Sequence, residues 1–398
     1  MKPNKVLLAL SSAFIGVSTV AADIDDYIQS AIRGSHKINT LIELSEIDKI
    51  AIKQEEMYYL PTVNYTFTGK NVYSTGLENE QNLTFRSTLF NENHSDILKV
   101  LGSKSAASLM DVEIQKSAIA AQTVAAVYKI KLYEELIEEG ERILEDAKKI
   151  NSDIKQKVDG GVAKASDSTT SEVLIKEMEN NIMAIRLKID QAKLQAEMIT
   201  GIPYPEEMTV SRDDVEKVIH RVVSSDITQN KELLKKKHLL DSTRFSIDSA
   251  DSLYSVSLYN KNVANSGELS GSDSEIGLEL SIKLVDPASY WKKKQNTHRY
   301  KSEQYTYDQM YKDLQMQIIS QANILDSNKQ LWDSQDDSLK IRKNLIDERG
   351  NEYQINLTSL YELISSLNTY YSTYQQRTET EVTLVNTVLS IDVLTGEI

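Results

Sequence analysis

The stretch GLELSIKLV (277–285) repeats the pattern of NLTFRSTLF (82–90) at an offset of 195 residues. In both stretches apolar and polar residues alternate, and this period of two is typical of a β-strand with one apolar and one polar face. The same offset separates the sequences ITG (199–201) and LTG (394–396), which are each typical of a helix end. An internal repeat of this size predicts two structurally equivalent halves that pack against each other.

Each half is predicted to contain one β-hairpin, over residues 60–90 and 253–285. In the second hairpin, Glu279 and Lys283 alternate with aliphatic residues, so the two faces of the sheet must meet different surroundings. We therefore expect the apolar residues of both hairpins to face lipid. These residues are Val63, Tyr65, Phe67, Leu83, Phe85, Leu89, Val256, Leu258, Ile276, Leu278, Leu280, Ile282 and Leu284.

Long helices are predicted to follow both hairpins. Residues 95–157 contain no proline, and a helix of 63 residues extends about 95 Å. The second long helix is predicted over 288–347, and returning helices over 165–200 and 357–394. In the first returning helix, apolar residues recur at alternating spacings of four and three from Met178 to Ile199, which is the pattern of a coiled coil. The segment from Asp23 to Met57 is predicted to be one further helix.

The N-terminus has the features of a secretory signal peptide. A short basic segment, an apolar run and the small pair Ala21–Ala22 precede Asp23, so residues 1–22 are predicted to be cleaved. The remaining sequence divides into a first repeat (23–201), a linker (202–225) and a second repeat (226–398).

Composition excludes several functional classes. The net charge of −14 argues against nucleic-acid binding, which needs clustered Lys and Arg. The sequence has no cysteine, and its five histidines show no metal-ligand spacing. No nucleophile–base pair is evident either. We therefore expect neither enzymatic activity nor a cofactor or metal.

Four strands cannot close a barrel, and open sheet edges are not tolerated in lipid. Three chains would supply twelve strands, so closure predicts a homotrimer. The predicted fold is mainly α with a pair of β-hairpins, forming a long coiled-coil helical barrel beneath a trimeric 12-stranded outer-membrane β-barrel. A soluble periplasmic or surface coiled-coil protein with a structural or adhesive role is the alternative.

Two turns carry a resemblance to a known family. VDGGVAKASDSTTSEV, from Val158, has Gly161 six residues before Asp167, and YQINLTSLYELISS, from Tyr353, has Asn356 six residues before Glu362. Each turn lies 40 residues before the glycine of the matching ITG or LTG sequence. These turns and the duplication resemble those of the TolC-like outer membrane factors of Gram-negative bacteria, over essentially the whole mature chain.

The resemblance implies a trimeric exit duct in the outer membrane that extends into the periplasm. Its implied partners are a periplasmic adaptor (membrane fusion protein) and an inner-membrane pump or ABC transporter, in type I secretion or efflux. It implies a periplasmic gate at Glu362 and Asp167. Thr358 and Ser365 depart from the pattern of some relatives, which have an arginine and an aspartate there. The implied adaptor-contacting tips are Gly160, Gly161, Val162, Ala163, Asn356, Leu357 and Thr358.

Overall fold

The computed structural model describes residues 23–72, 76–162, 164–206, 208, 210–266, 271–355 and 357–398. The predicted signal peptide, Ala163 and Asn356 lie outside these residues. The helices are α1 (Ile24–Gly34), α2 (His36–Glu56), α3 (His94–Asp159), α4 (Ala165–Thr200), α5 (Arg212–His220), α6 (Lys231–Asp248), α7 (Pro287–Gln354) and α8 (Leu360–Thr395). The strands are β1 (Thr62–Val72), β2 (Gly76–Asn91), β3 (Tyr254–Ser266) and β4 (Gly271–Ile282). Among the helices of these residues, none combines the length and apolarity needed to cross a membrane.

The two halves share one plan, in which a hairpin is followed by a long helix and a returning helix. The long helices α3 and α7 have 66 and 68 residues, and the returning helices α4 and α8 have 36 each. Helix α7 continues seven residues beyond its predicted end at 347 and includes Gly350. A single glycine costs a helix only about 1 kcal/mol, which the packing of α7 along α8 offsets.

The N-terminal helix is broken where a single helix was expected. Ser35 lies between α1 and α2 with an extended backbone (φ −70°, ψ 109°), and its Oγ accepts a hydrogen bond from the backbone N–H of Ile38. Ser35 therefore caps the N-terminus of α2, because its hydroxyl satisfies an amide that the helix leaves free.

The returning helix α4 packs along α3 through the predicted apolar seam. Met178, Ile182, Ile185, Ile189, Ala192 and Ala196 are all buried. In α8 the matching positions Leu360, Ile364, Leu367 and Tyr371 are buried as well. Helix α3 lies at the centre of the chain and contacts α2, α4, α6 and α8. By contrast, α7 leaves large apolar side chains exposed, such as Tyr305, Met316 and Ile341.

The segment predicted as a linker contains the short helix α5, which buried ion pairs hold against α8. Arg212 donates to the carboxylate of Glu381 at 3.0 Å, and the indole N–H of Trp332 donates to the same carboxylate at 2.9 Å. At the other end of α5, Arg221 pairs with Asp392. Both carboxylate side chains are 1% exposed, so each depends on arginine for compensation, and Glu381 also pairs with Arg377 at 3.4 Å.

The four strands form one antiparallel sheet in the order β1-β2-β3-β4. The two hairpins therefore lie side by side, joined by the pairing of β2 with β3. Between Thr88 and Phe90 the register of this pair shifts by one residue. The shift is typical of a β-bulge, in which one strand carries an extra residue.

Candidate functional site

One face of the sheet carries a set of apolar side chains, interrupted by Ser87 and Asn260, which we call the apolar band. Its members are Val63, Tyr65, Phe67, Leu83, Phe85, Phe90, Tyr254, Val256, Leu258, Ile276, Leu278, Leu280 and Ile282. The register places Val63 opposite Phe85 and Leu258 opposite Leu278, so these pairs share a face. Most of these side chains are exposed, and Ile276 and Leu278 are 73% and 70% exposed. The chain's own helices therefore do not cover the band.

Two of the predicted strand residues lie outside the regular ladder. Leu89 is the extra residue of the bulge, and Phe90 takes the ladder position opposite Val256. The ring of Phe90 stacks on Tyr254 with 5.5 Å between the centroids. Leu284 follows the end of β4 at Ile282 and is 89% exposed. The alternation that placed Leu89 and Leu284 in strands does not reveal a bulge or a strand end.

The apolar band crosses the sheet obliquely. The middle of the band on β1 is Tyr65, which the register aligns through Leu83 and Asn262 with Ser274 on β4. The middle of the band on β4 is instead residue 279. Between β1 and β4, which are three strand spacings apart, the band is therefore displaced by five residues along the strands. With about 3.3 Å per residue and 4.8 Å between strands, the strands are tilted by about 50° from the normal of the band. Strands of closed barrels are tilted in the same way, commonly by about 35–45°.

The opposite face of the sheet is polar. A guanidinium nitrogen of Arg86 lies 2.6 Å from a carboxylate oxygen of Glu279 on β4, and the pair spans the intervening β3. Tyr259 lies between them in the register, beside Gly277. A Cβ added at Gly277 would lie 2.8 Å from the Tyr259 hydroxyl, so this glycine makes room for the ring. The sheet thus separates an apolar surface from a charged one, as the alternation predicts.

The first hairpin of helices, between α3 and α4, ends in a tight turn at Gly160–Val162. Gly161 has a left-handed backbone (φ 72°) that favours glycine. The backbone N–H of Val162 donates to Lys157 at 2.8 Å, and that of Gly161 donates to Val158 at 2.9 Å. These two bonds form a Schellman motif. The side chain of Val162 is 81% exposed.

The second tip, between α7 and α8, contains the same longer-range backbone hydrogen bond as the first. The backbone N–H of Leu357 donates to the carbonyl oxygen of Glu352 at 2.9 Å, with the same five-residue separation as the bond from Val162 to Lys157. Leu357 is 74% exposed. Ser359 then caps α8, and its Oγ accepts from the backbone N–H of Glu362 at 3.2 Å.

Glu362 lies in the first turn of α8 and is exposed. Its carboxylate accepts a 2.5 Å hydrogen bond from the hydroxyl of Thr358. This bond, the backbone of Ser359 and the charge of Arg349 lower the pKa of Glu362 below its ordinary value. The group is therefore a stable anion at neutral pH.

Sequence reasoning missed Arg349, which lies on α7 across from Glu362. Its Nη1 donates to the backbone carbonyl of Glu362 at 2.8 Å, and it also contacts the hydroxyl of Ser366. Arg349 precedes position 356 by seven residues and Glu362 follows it by six. Folding the two helices back on each other about that turn could have revealed the pair.

The two tips pack together, although the two candidate gate residues do not contact each other. The ammonium of Lys157 lies 4.1 Å from the centroid of the Tyr353 ring, which joins the end of α3 to the end of α7. Ile154, Leu360 and Ile364 form a small buried cluster beside this contact. Asp167 lies in the first turn of α4, and within the described parts of the chain no hydrogen bond joins it to Glu362.

Within the described ranges, no group of three or more His, Asp and Glu side chains is placed to hold a metal.

Solved structures share this fold over most of the chain. CusC, a protein studied for its folding and transmembrane channel formation, has a TM-score of 0.76 and 11% identity, over 94% of this chain and 91% of its own. The Campylobacter jejuni CmeC outer membrane channel has a TM-score of 0.72 and 13% identity, over 94% of this chain and 85% of its own. The open state of the Neisseria gonorrhoeae MtrE outer membrane channel has a TM-score of 0.73 and 15% identity, over 94% of this chain and 88% of its own. No protein-family model and no curated protein matches the sequence. The chain therefore has the fold of the TolC-like outer membrane channels.

Proposed function

We propose that the protein is an outer-membrane exit duct that passes substrates through the outer membrane and across the periplasm of a Gram-negative bacterium. It acts as a homotrimer, and it is a conduit and not an enzyme. Energy for export comes from an inner-membrane pump or ABC transporter joined to the duct by a periplasmic adaptor. Type I secretion and efflux are both compatible with the site.

The oblique apolar band is the observation that carries this proposal. A small soluble cap would bury such a face against its own helices, but here Ile276 and Leu278 remain exposed. Within the described residues, the outer strands β1 and β4 each have one unpaired edge. In a bilayer both edges need partners, and three chains with twelve tilted strands provide them. The soluble coiled-coil alternative has no use for this combination.

The helices support the periplasmic part of the duct. At 1.5 Å per residue, the 66 residues of α3 extend about 100 Å. Helices of this length need lateral partners, and α7 offers Tyr305, Met316 and Ile341 on sides that the chain leaves uncovered. Neighbouring protomers in a trimer would bury these side chains.

The tips support the contacts with the other components. Val162 and Leu357 are apolar and more than 70% exposed, and they lie at the end of the folded molecule that is farthest from the sheet. This position suits them to contact the adaptor. Three copies of Glu362 around the trimer axis would form an acidic constriction that favours cations. The contact of Arg349 with the Glu362 backbone supports its role in fixing α7 to the start of α8 at this constriction.

Single-channel recording in planar lipid bilayers tests the proposal. The purified wild-type trimer is expected to insert stably and to conduct with a preference for cations. Glu362→Gln removes the proposed acidic constriction and is expected to reduce that preference. Glu43→Gln on α2 removes the same charge far from the tips and serves as the matched control, with the preference unchanged.

Two results would contradict parts of the proposal. If a folded sample with the mass of three mature chains, each somewhat below the 45.0 kDa of the full sequence, fails to insert, the duct itself is wrong. If Glu362→Gln conducts and selects ions as the wild type does, the duct stands and the gate assignment is wrong.

A further inference from the structure

Where β4 leads into α7, apolar, aromatic and basic residues follow one another along the chain, in the order in which a membrane surface favours them from the hydrocarbon to the headgroups. The apolar strand β4 is followed by the exposed residues Leu284 and Val285, which are 89% and 83% exposed. Asp286 then caps α7, Tyr290 and Trp291 lie at the end of its first turn, and Lys292, Lys293 and Lys294 follow directly. We call these three lysines the basic turn.

This part of α7 has almost no cover from the rest of the chain. Residues 290–295 are all exposed, and in the turn before them Ser289 is buried. The rings of Tyr290 and Trp291 contact each other edge to face, with 5.4 Å between their centroids. The Lys294 ammonium lies 5.1 Å from the centroid of the Trp291 ring. An aromatic pair and a lysine thus share one side of the helix.

The charges of the basic turn are not compensated locally. Three carboxylates at this end of the sheet already have partners: Asp286 pairs with Lys283, Glu55 with His94, and Asp96 with Lys99. In the described part of the chain, none of the three lysines lies within ion-pair distance of a carboxylate. Three adjacent free cations in a chain of net charge −14 indicate an anionic partner.

The geometry matches the headgroup layer of a bilayer. Tyrosine and tryptophan side chains favour the boundary between the hydrocarbon and the headgroups. The lysines lie one to three residues further along α7, about 1.5–4.5 Å along the helix axis. The headgroup layer on each side of a bilayer is about 5–7 Å thick, so the flexible ammonium groups reach phosphates within it.

We propose that the basic turn binds the phosphate groups of anionic phospholipids in the leaflet that faces the helical part of the protein. This inference rests on the proposed function, because it needs the apolar band to lie in a bilayer. The continuity from β4 through Trp291 to the lysines favours lipid over a second copy of the chain. A protein partner would have no reason to follow the apolar, aromatic and basic order of a membrane surface.

Lipid-specific quenching of Trp291 tests the inference in the intact trimer. The protein is reconstituted in vesicles with phosphatidylglycerol and phosphatidylcholine at equal mole fractions, and either one or the other is brominated to quench tryptophan. The other tryptophan, Trp332, lies 41 residues along α7, about 60 Å away, and gives a constant background. Brominated phosphatidylglycerol is expected to quench Trp291 with an apparent affinity at least about fivefold higher than that of brominated phosphatidylcholine, which is the ratio expected for one lysine near the surface.

The triple variant Lys292→Gln, Lys293→Gln, Lys294→Gln is expected to lose this preference while quenching by phosphatidylcholine persists. The matched control changes three exposed lysines of α6 and α7 that lie away from the sheet, Lys237, Lys312 and Lys343, to Gln and should keep the preference. In the wild type the preference should also disappear at 1 M salt, where the Debye length is about 3 Å.

Either of two results overturns the inference. A preference that survives in the triple variant would show that the lysines do not bind the headgroups. Trp291 shielded from both brominated lipids, in trimers that still conduct, would show that another copy of the chain covers this turn. Failure to insert or conduct at all would instead refute the proposed function.

Discussion

The contact between Gly140 and Tyr371 makes a quantitative prediction about how the helices pack. Tyr371 on α8 is fully buried, and its ring lies against Gly140 on α3. A Cβ added at position 140 would lie 2.7 Å from Cε2 and 2.8 Å from the hydroxyl oxygen of Tyr371. Unstrained carbon contacts are about 3.5–4.0 Å, so the ring or the helix must move by about 0.8 Å or more.

Gly140→Ala is therefore expected to destabilise the protein. Overpacking a well-packed core costs about 1–3 kcal/mol, and the better helix propensity of alanine returns about 1 kcal/mol. The expected net loss is up to about 2 kcal/mol per chain. The midpoint of guanidinium unfolding in detergent, followed by helical circular dichroism, measures it.

Gly102→Ala is the matched control on the same helix. A Cβ at Gly102 meets no heavy atom within 4 Å, so this change is expected to stabilise by about 0.5–1 kcal/mol. Tyr371→Leu in the Gly140→Ala background removes the clash, and the two changes together should cost less than the sum of each alone. Gly140→Ala as stable as Gly102→Ala would refute the close approach of α3 and α8.

Three further predictions concern charge. Arg86→Gln breaks a partly exposed ion pair, so the free energy of unfolding should change by less than about 1 kcal/mol. Because the change leaves Glu279 unpaired, bilayer recordings should show a stronger cation preference. An unchanged preference would place this pair outside the pore. Glu381→Ala removes a buried carboxylate from Arg212 and should cost about 3–5 kcal/mol in denaturant unfolding; a loss below 1 kcal/mol would contradict its burial. Within the chain, the hydrogen bond from Thr358 is the largest of the contacts that lower the pKa of Glu362, so Thr358→Val should raise that pKa. Cation selectivity recorded against pH should then be lost at a higher pH in the variant than in the wild type, and the same midpoint in both proteins would contradict the contact.

The sequence alone determined the repeated plan of the chain. The period of two around Leu83 and Leu278 specifies strands with unlike faces, because successive side chains of a strand point to opposite sides. The spacing from Met178 to Ala196 specifies a coiled-coil seam, and Gly161 marks a turn that needs a left-handed residue. All of these are local signals, and each depends on residues close together in the chain.

The tertiary structure decided what depends on residues far apart in the chain. The bulge that puts Phe90 into the apolar band in place of Leu89 arises from the pairing of β2 with β3, two strands from different halves. The contact of Arg349 with the start of α8 depends on how α7 and α8 lie against each other. Alternation and spacing constrain which face a residue occupies, but register and helix packing are set by long-range contacts that no local pattern encodes.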